Sequence, residues 1–554
     1  MLMLSACLYV LIETCSGRPV LRRDNGDDPA TVGWVSDPDG RGTSGLIISC
    51  LLTLGLCVWN VMHLNIPPKG ETKVQYWLRS LKWVALGVLV PELVILSAWR
   101  QWLSARRMSK ELNKIFKEQN DGKSAFRRFE WTISHSYFAG MGGFVFEKEF
   151  LPQGEKTLFN APERLTLTAS GVLLLARCGH LPDVHRDVIW DKSKADGLAK
   201  TVVCVQAAWM IVQIGGRLVV HEPVTLLEVN TLGHIFCAFI IYVLWWKKPK
   251  EVNAPISLEG PWTEQLAAFM YMSSRISGQK PSGRIKLPQW IKPELSELAW
   301  YPSTSSPDHV SASPRDESEV PPIEEEVPNI ATKWSDGELR KRPEHTITAL
   351  PATVIKPSLS TGHSDDLTRQ ARLDACTEAI TTYPAIQNLF HHPSEDCPWL
   401  KPEVVHLATD VATNWPSDYY LPGISGELMG MALWLSSSLY GGIHIAAWSE
   451  YFPTAAERFL WHFSSLYIAA SGAFWLLLCV IAFRWPWASS YWDRFIELRA
   501  WKLEYAVLGL VSTVCGLAYI FARVFLVVDA VISLRRLPSG AYETPDWTTI
   551  FPHL

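Results

Sequence analysis

Two apolar runs of 23 residues each, 198–220 and 224–246, are separated only by His221-Glu222-Pro223. At about 1.5 Å of rise per residue, each is long enough to cross a hydrocarbon core about 30 Å thick. A helix on a water-soluble core alternates an apolar and a polar face, whereas these runs are apolar nearly all round. Two such runs joined by a polar corner predict a transmembrane hairpin. Composition agrees, because the chain of 554 residues carries 26 Trp, and Trp collects where lipid meets water. The net charge of −4 offers no electrostatic footprint for nucleic acid. None of the eleven Cys forms a CxxC pair, and Cys50, Cys57, Cys204, Cys237, Cys479 and Cys515 lie within apolar runs. They read as small buried hydrophobes, not as a disulfide framework or a zinc site.

The same pattern, followed along the chain, divides it into nine regions. Residues 1–43 are a lead-in whose first 14 residues are apolar, with a candidate signal-peptide end near Cys15-Ser16-Gly17. Residues 44–66 and 81–102 are predicted as spans one and two of a hairpin at 44–102, with Pro91-Glu92 at mid-depth in the second. Region 103–197 is basic and predicted as cytosolic or interfacial; within it, 129–147 and 165–178 are too short or too polar for a lone span. The opening hairpin at 198–246 supplies spans three and four, and an amphipathic cytosolic segment follows over 247–278. Residues 279–366 are rich in Ser, Pro, Glu and Thr and poor in large apolar residues. Such a stretch cannot offset its ordering entropy by burial and is predicted to be disordered. A small cytosolic cap at 367–424, spans five to seven within 425–532, and a tail at 533–554 without retrieval or lipidation signals complete the order. The loops after spans two, four and six carry the Lys and Arg runs, which assigns them to the cytosol. Seven crossings then put the amino terminus inside and the carboxyl terminus outside, in conflict with a cleaved signal peptide.

Several strings occur together: Cys57-Val58-Trp59 with His63-Leu64-Asn65-Ile66-Pro67, Pro91-Glu92, Met141-Gly142-Gly143-Phe144, Gln206 to Arg217, Trp245-Trp246-Lys247-Lys248-Pro249, Tyr440-Gly441-Gly442-Ile443-His444, and Arg523 with Leu537-Pro538. This ensemble resembles a large group of filamentous-fungal multi-pass integral membrane proteins. The resemblance implies a polytopic membrane protein and transfers no catalytic residue.

Candidate chemistry sits in the spans. Gln206, Gln213 and Arg217, seven and four residues apart, fall within about 40° of one another on a helix and form a polar stripe. In lipid such a stripe must face other helices or water. Glu92 follows a proline that opens the helix, so its mid-membrane carboxylate is protonated, functional, or ion-paired with Arg217 or Arg523. Asn60 with His63, Ser437 with Tyr440 and His444, and Tyr519 with Arg523 share helix faces and read first as packing contacts. Glu228 and Asp529 lie nearer span ends, where solvent could reach them, and His234 completes a set from which a buried acid/base site could be built. No HExxH spacing supports a metal, and His180, Asp183, His185, Asp187 and Asp191 read as a polar loop ahead of span three. There is no P-loop, dinucleotide fingerprint or nucleophile elbow.

The expectation is therefore an all-α transmembrane bundle of about seven spans with a long disordered cytosolic insert. It requires no cofactor or metal and resides in an endomembrane or the plasma membrane. The candidate intramembrane polar cluster is Glu92, Gln206, Gln213, Arg217, Glu228, His444 and Arg523. It would serve transport, sensing or scaffolding around a small-molecule or lipidic ligand, with the 279–366 segment available to a protein partner. The alternative is a membrane-embedded enzyme acting on a lipidic or isoprenoid substrate, with Glu92 and a nearby His as acid and base.

Overall fold

The computed structural model describes residues 31–36, 41–120, 129–147, 164–191, 197–277, 285–286, 362–391, 399–400, 406–415, 421, 426–485, 487–488 and 502–543. The candidate signal segment and almost all of the 279–366 insert lie outside the described residues. The chain divides into two compact units, one formed by Met1–Leu287 with Thr368–Leu554 and the other by Pro288–Leu367. Of the second, the described part is the helical stretch 362–367.

In the larger unit, strand β1 (Thr31–Val32) leads into helix α1 (Thr43–Val61). Helix α2 (Lys73–Leu89) follows, opened by a capping box in which Thr72 and Gln75 satisfy each other's backbone N–H groups. Pro91 then breaks the chain. It has no N–H to donate and drives the preceding residue out of the helical region, and Val90 is accordingly at φ −144°, ψ 63°. Helix α3 (Pro91–Asn120) restarts with the proline as its first residue, bent 112° away from α2.

Both outer ends of this α2–α3 pair lie at the same end of the bundle. Near the start of α2, Arg79 donates to the Asn65 carbonyl at 3.1 Å, in the loop that leaves α1. Ten residues beyond the break, Gln101 meets Lys248 at 2.7 Å, in the segment that leaves α7 (Leu226–Trp245). The pair therefore enters the bundle and returns, as a re-entrant hairpin. The expected span over 81–102 is broken at Pro91, because a proline inside an apolar run ends one helix and starts another.

Six long helices pack side by side in the bundle: α1, α6 (Gly197–Val219), α7, α10 (Gly426–Ile445), α11 (Ala455–Arg484) and α12 (Lys502–Ile532), with α8 (Thr263–Ser273) and α9 (Gly362–Thr382) between α7 and α10 in the chain. Five described helical stretches are long and apolar enough to cross a membrane, namely Thr43–Val61, Thr201–Val219, Leu226–Trp245, Ala455–Arg484 and Gly509–Arg535. Against the expected seven, the described residues hold five such spans, or six where the bent α2–α3 pair counts as one. Helices α10 and α11 approach closely through glycine. A Cβ on Gly472 would sit 2.7 Å from the Ser438 nitrogen, and one on Gly441 would sit 2.4 Å from the Ala469 nitrogen. Without a hydrophobic drive between helices in lipid, this small-residue contact is how two helices gain van der Waals attraction. Large apolar side chains point outward along the bundle, among them Ile48, Leu51, Phe463, Leu466, Phe474, Leu477, Leu510 and Leu517. Cys204 and Cys515 also face outward, whereas Cys50, Cys57 and Cys237 are buried as expected.

The all-α expectation also gives way. Residues 129–178 hold α4 (Ile133–Gly140), β2 (Phe144–Glu147), β3 (Arg164–Leu167) and α5 (Ala169–Arg177). Helices of 8 and 9 residues reach only about 12–14 Å, less than half a bilayer core. Strand β4 (Ile256–Ser257) lies parallel to β2, β3 pairs antiparallel with β2, and β5 (Ala408–Thr409) pairs antiparallel with β3, giving the order β4-β2-β3-β5. The cap predicted at 367–424 thus closes, with Ala408–Thr409, a sheet begun at Phe144. This small α/β module sits at the end of the bundle where the α2–α3 hairpin enters, and α4 is tied to α7 by the Tyr137 hydroxyl donating to the Leu244 carbonyl at 2.6 Å.

The opposite end carries the His221-Glu222-Pro223 corner, where His221 takes a left-handed φ of 60°. Strand β6 (Leu537–Pro538), after α12, pairs antiparallel with β1 there. The residues flanking the first and last helices are therefore neighbours, which requires an even number of crossings between them. Epitopes placed ahead of Thr31 and behind Glu543 are expected to be reached by antibody from the same membrane face, and one within 107–118 from the other. Access of the first two from opposite faces would overturn the even number of crossings.

Candidate functional site

The hairpin tip delivers Glu92 to the interior of the bundle, where it is 3 % exposed. Glu92 stands in the first turn of α3, so the unpaired N–H groups of that helix start favour its negative charge. Its two oxygens accept from the Tyr519 hydroxyl and from Nη2 of Arg523, both on α12. Arg523 is 2 % exposed. Its Nε and Nη1 find no hydrogen-bond partner among the described residues, and the guanidinium instead lies over the Tyr440 ring at 3.7 Å. A desolvated cation on an aromatic face gains about 2 kcal/mol, which offsets part of the unmade bonds.

Tyr440 carries the network to α7 and α10. Its hydroxyl donates to Asn230 Oδ1 at 3.2 Å, and its ring stacks on His444 at 4.3 Å. His444 contacts the same Asn230 oxygen at 3.3 Å and the Tyr440 carbonyl at 2.9 Å. Ser437 and Tyr519 share a hydrogen bond of 2.7 Å. His234 occupies a peculiar position, with Nδ1 2.8 Å from the Asn230 carbonyl and Nε2 2.7 Å from the Val88 carbonyl, on the last turn of α2. Both ring nitrogens face acceptors, so full satisfaction requires both N–H groups, and a neutral imidazole supplies one.

A second cluster lies at the corner end. Glu228, fully buried, is both the capping-box residue of α7 with Thr225 and the ion-pair partner of Arg41. Arg217 donates to the carbonyls of Pro223 (2.9 Å), Gly540 (2.9 Å) and Glu543 (2.6 Å), which fastens the corner to the segment after α12. Glu450, between α10 and α11, accepts from the Val224 N–H at 3.3 Å. Burial, reinforced by nearby Glu228, pushes its carboxyl up to about 8. Burial likewise raises Glu222, with Arg217 opposing it.

A third hub stands at the module end. Lys248 is fully buried, and its Nζ donates to the His63 carbonyl (2.5 Å), Asn65 Oδ1 (3.0 Å) and Gln101 Oε1 (2.7 Å). Burial without a carboxylate lowers its pKa well below the ordinary lysine value, yet three acceptors use all three ammonium N–H groups. Gln101 in turn donates to the Asn414 carbonyl at 3.0 Å, and the Asn65 N–H donates to Asn414 Oδ1 at 2.5 Å. One lysine thus joins α1, α3, α7 and the 413–414 segment of the module.

The predicted cluster divides. Glu92, Arg523 and His444 come together, and Arg523, not Arg217, is the partner of Glu92. Glu228 and Arg217 belong to the corner cluster, where Glu228 is buried and not solvated. Gln206 donates to Thr53 of α1 at 3.0 Å, and Gln213 is half-buried and apart from both networks, so the polar stripe of α6 does not act as one surface. In the 180–191 loop, His180 stacks on Trp262 at 4.5 Å and meets the Tyr383 hydroxyl at 2.9 Å. Sequence reasoning overlooked Arg41, Asn230, Lys248 and Glu450. Thr225 three residues before Glu228 is a capping-box signature that marks that glutamate as structurally engaged. Lys248 was concealed in a basic stop of ordinary composition.

The family model of DUF8562, a family of unknown function, matches residues 19–317 and 424–554. The chain belongs to this family. No curated protein and no solved structure matches it. Both matched segments of the DUF8562 model contribute to the Glu92 network: Glu92, Asn230 and His234 from the first, Tyr440, His444 and Arg523 from the second.

Two outcomes follow from these hubs. Lys248→Met should destabilise the protein by about 3 kcal/mol, because three buried acceptors lose their donor, read as a drop in thermal midpoint in detergent. Glu450, with a folded pKa above its unfolded value, stabilises the fold fully below about pH 4.5 and loses that contribution as pH rises toward about 8. Glu450→Gln should therefore flatten the decline of the midpoint between pH 5 and 8, and an unchanged slope would remove Glu450 as its source.

Proposed function

We propose that the protein is a multi-pass integral membrane protein of transport or sensing type, in which the α2–α3 hairpin is a proton-linked latch. The observation that carries this reading is His234, whose ring is held between two backbone carbonyls, one of them on the hairpin tip. With both nitrogens protonated it holds the tip from two sides, and with one proton lost a contact becomes a repulsion of lone pairs. The groups around it are Glu92 at the tip, Arg523 and Tyr519 on α12, Tyr440 and His444 on α10, and Cys237 on its own helix. An ion pair and a shared proton at one hinge give a bistable element that a proton or ligand can bias.

The outward apolar belt supports residence in a bilayer, and the basic runs support a cytosolic module end with both flanking strands on the far side. That orientation suits a lead-in beginning outside, as a signal peptide would leave it. The shared strings support placement among the filamentous-fungal multi-pass proteins, in an endomembrane or the plasma membrane, with the 279–366 segment as a recruiter of protein partners. We favour this over the enzyme reading because an acid/base Glu92 would need an oxygen free for substrate, and both are engaged.

Buried Cys237 reports opening. Labelling by a membrane-permeant thiol reagent, taken as the ratio of unaltered protein to His234→Gln at each pH, should rise with pH below about 6.5 and be level from there to pH 8. The limit is about tenfold per pH unit for one linked proton. A ratio that stays flat while Glu92→Gln merely lowers the thermal midpoint would make the network a structural pair and sink the latch.

A further inference from the structure

At the module end, α1, α2 and the segment after α7 border a cleft open to solvent on one side, lined in part by Trp59, Tyr76, Arg79, Ser80, Lys250 and Glu251. Four features distinguish it from an incidental gap. Ser80 is 5 % exposed, yet its hydroxyl has no hydrogen-bond partner among the described residues, and an unmet buried hydroxyl costs about 1–3 kcal/mol. Two cations share the wall. Arg79 is locked by a bidentate pair to Glu71 (2.8 and 3.0 Å) and by the Asn65 carbonyl (3.1 Å), which leaves two of its five N–H groups beyond those bonds. Lys250 is anchored on Asn60 at 3.1 Å and is 6 % exposed. Glu251 holds a left-handed φ of 56°, a strain of the kind that collects at ligand clamps.

The pocket also continues an apolar track. Ile48, Leu51, Leu52, Gly55 and Trp59 are exposed along one face of α1, and the spacing i, i+3, i+4, i+7, i+11 makes a continuous stripe. A Cβ on Gly55 would meet nothing, so the glycine leaves a notch midway. Trp59 is both the last residue of the stripe and a wall of the pocket, stacked on Trp77 at 5.5 Å, as aromatic side chains stand at a headgroup boundary.

We propose that this pocket binds the phosphate of a phospholipid headgroup, with one acyl chain along the Ile48–Trp59 stripe. The Ser80 hydroxyl and the outer N–H groups of Arg79 donate to the phosphate oxygens, and Lys250 supplies the balancing charge. Planar guanidinium and hydroxyl donors suit a phosphate. The lipid would brace the outer end of α2 against α1. The proposal rests on the membrane reading above.

The test uses the full chain in maltoside micelles, which contain no phosphate, with photoactivatable phosphatidic acid as probe and diacylglycerol of the same chains as control. Crosslinks are expected on peptides containing Trp59 or Tyr76. Labelling should fall about tenfold in Ser80→Ala and Lys250→Gln, and about tenfold or more with diacylglycerol, since each removes a charge-assisted contact. Ser80→Ala leaves the ion pairs intact and is the decisive variant if Lys250→Gln misfolds. Equal labelling by diacylglycerol, or undiminished labelling of Ser80→Ala, would overturn the proposal. Full competition by millimolar inorganic phosphate would reassign the pocket to a free anion and overturn the lipid. A chain that stays monodisperse after detergent removal would refute the membrane reading itself.

Discussion

The contact between Glu92 and Arg523 decides the course of the rest of the chain. Bringing two charges out of water costs several kcal/mol each, and the pair is retained only where its geometry and surroundings return that cost. Here the return comes from three sources: the N-terminal turn of α3, the Tyr519 hydroxyl and the Tyr440 ring. Each belongs to a different part of the fold, so the pair fixes α3, α10 and α12 against one another. His234 adds α7 and the end of α2 through the Val88 carbonyl. A helix start can reach that depth only because Pro91 has already ended the helix before it.

The break has a consequence for the whole bundle. The flanking strands at 31–32 and 537–538 meet, as a pair that enters the bundle and returns to the same end allows. The hairpin's outer half then continues as the basic helix that supports the α/β module, and Lys248 binds hairpin and bundle with a single ammonium group, while Gln101 and Asn65 carry the contact on to Asn414 of the module. The pocket beneath α2 adds a place where the bilayer itself could set the resting position of that helix's outer end.

Much of this was legible in residue order. The paired runs at 198–246, their tight polar corner and the Trp surplus dictate a membrane hairpin, because apolar length and the cost of unpaired backbone in lipid permit little else. Pro91-Glu92 was visible as an opened helix with a carboxylate in need of a partner, and Arg523 was among the two arginines able to serve. The module was not legible: α4 and α5 are short, and their sheet partners at 256–257 and 408–409 are remote in sequence. Periodicity measures neighbours within about two turns and says nothing of pairings across 240 residues.

What the sequence by itself determined is the apolar content of each helix, the break at Pro91 and the supply of buried charge, all consequences of local covalent chemistry and solvation. What only the tertiary structure decided is the pairing of those charges and hence the parity of the crossings. Several arginines, lysines and acids of like character compete for each partner. Distance selects among them, and distance is set by packing: Gly441 and Gly472 bring α10 onto α11, and β1 on β6 draws the two flanking strands together.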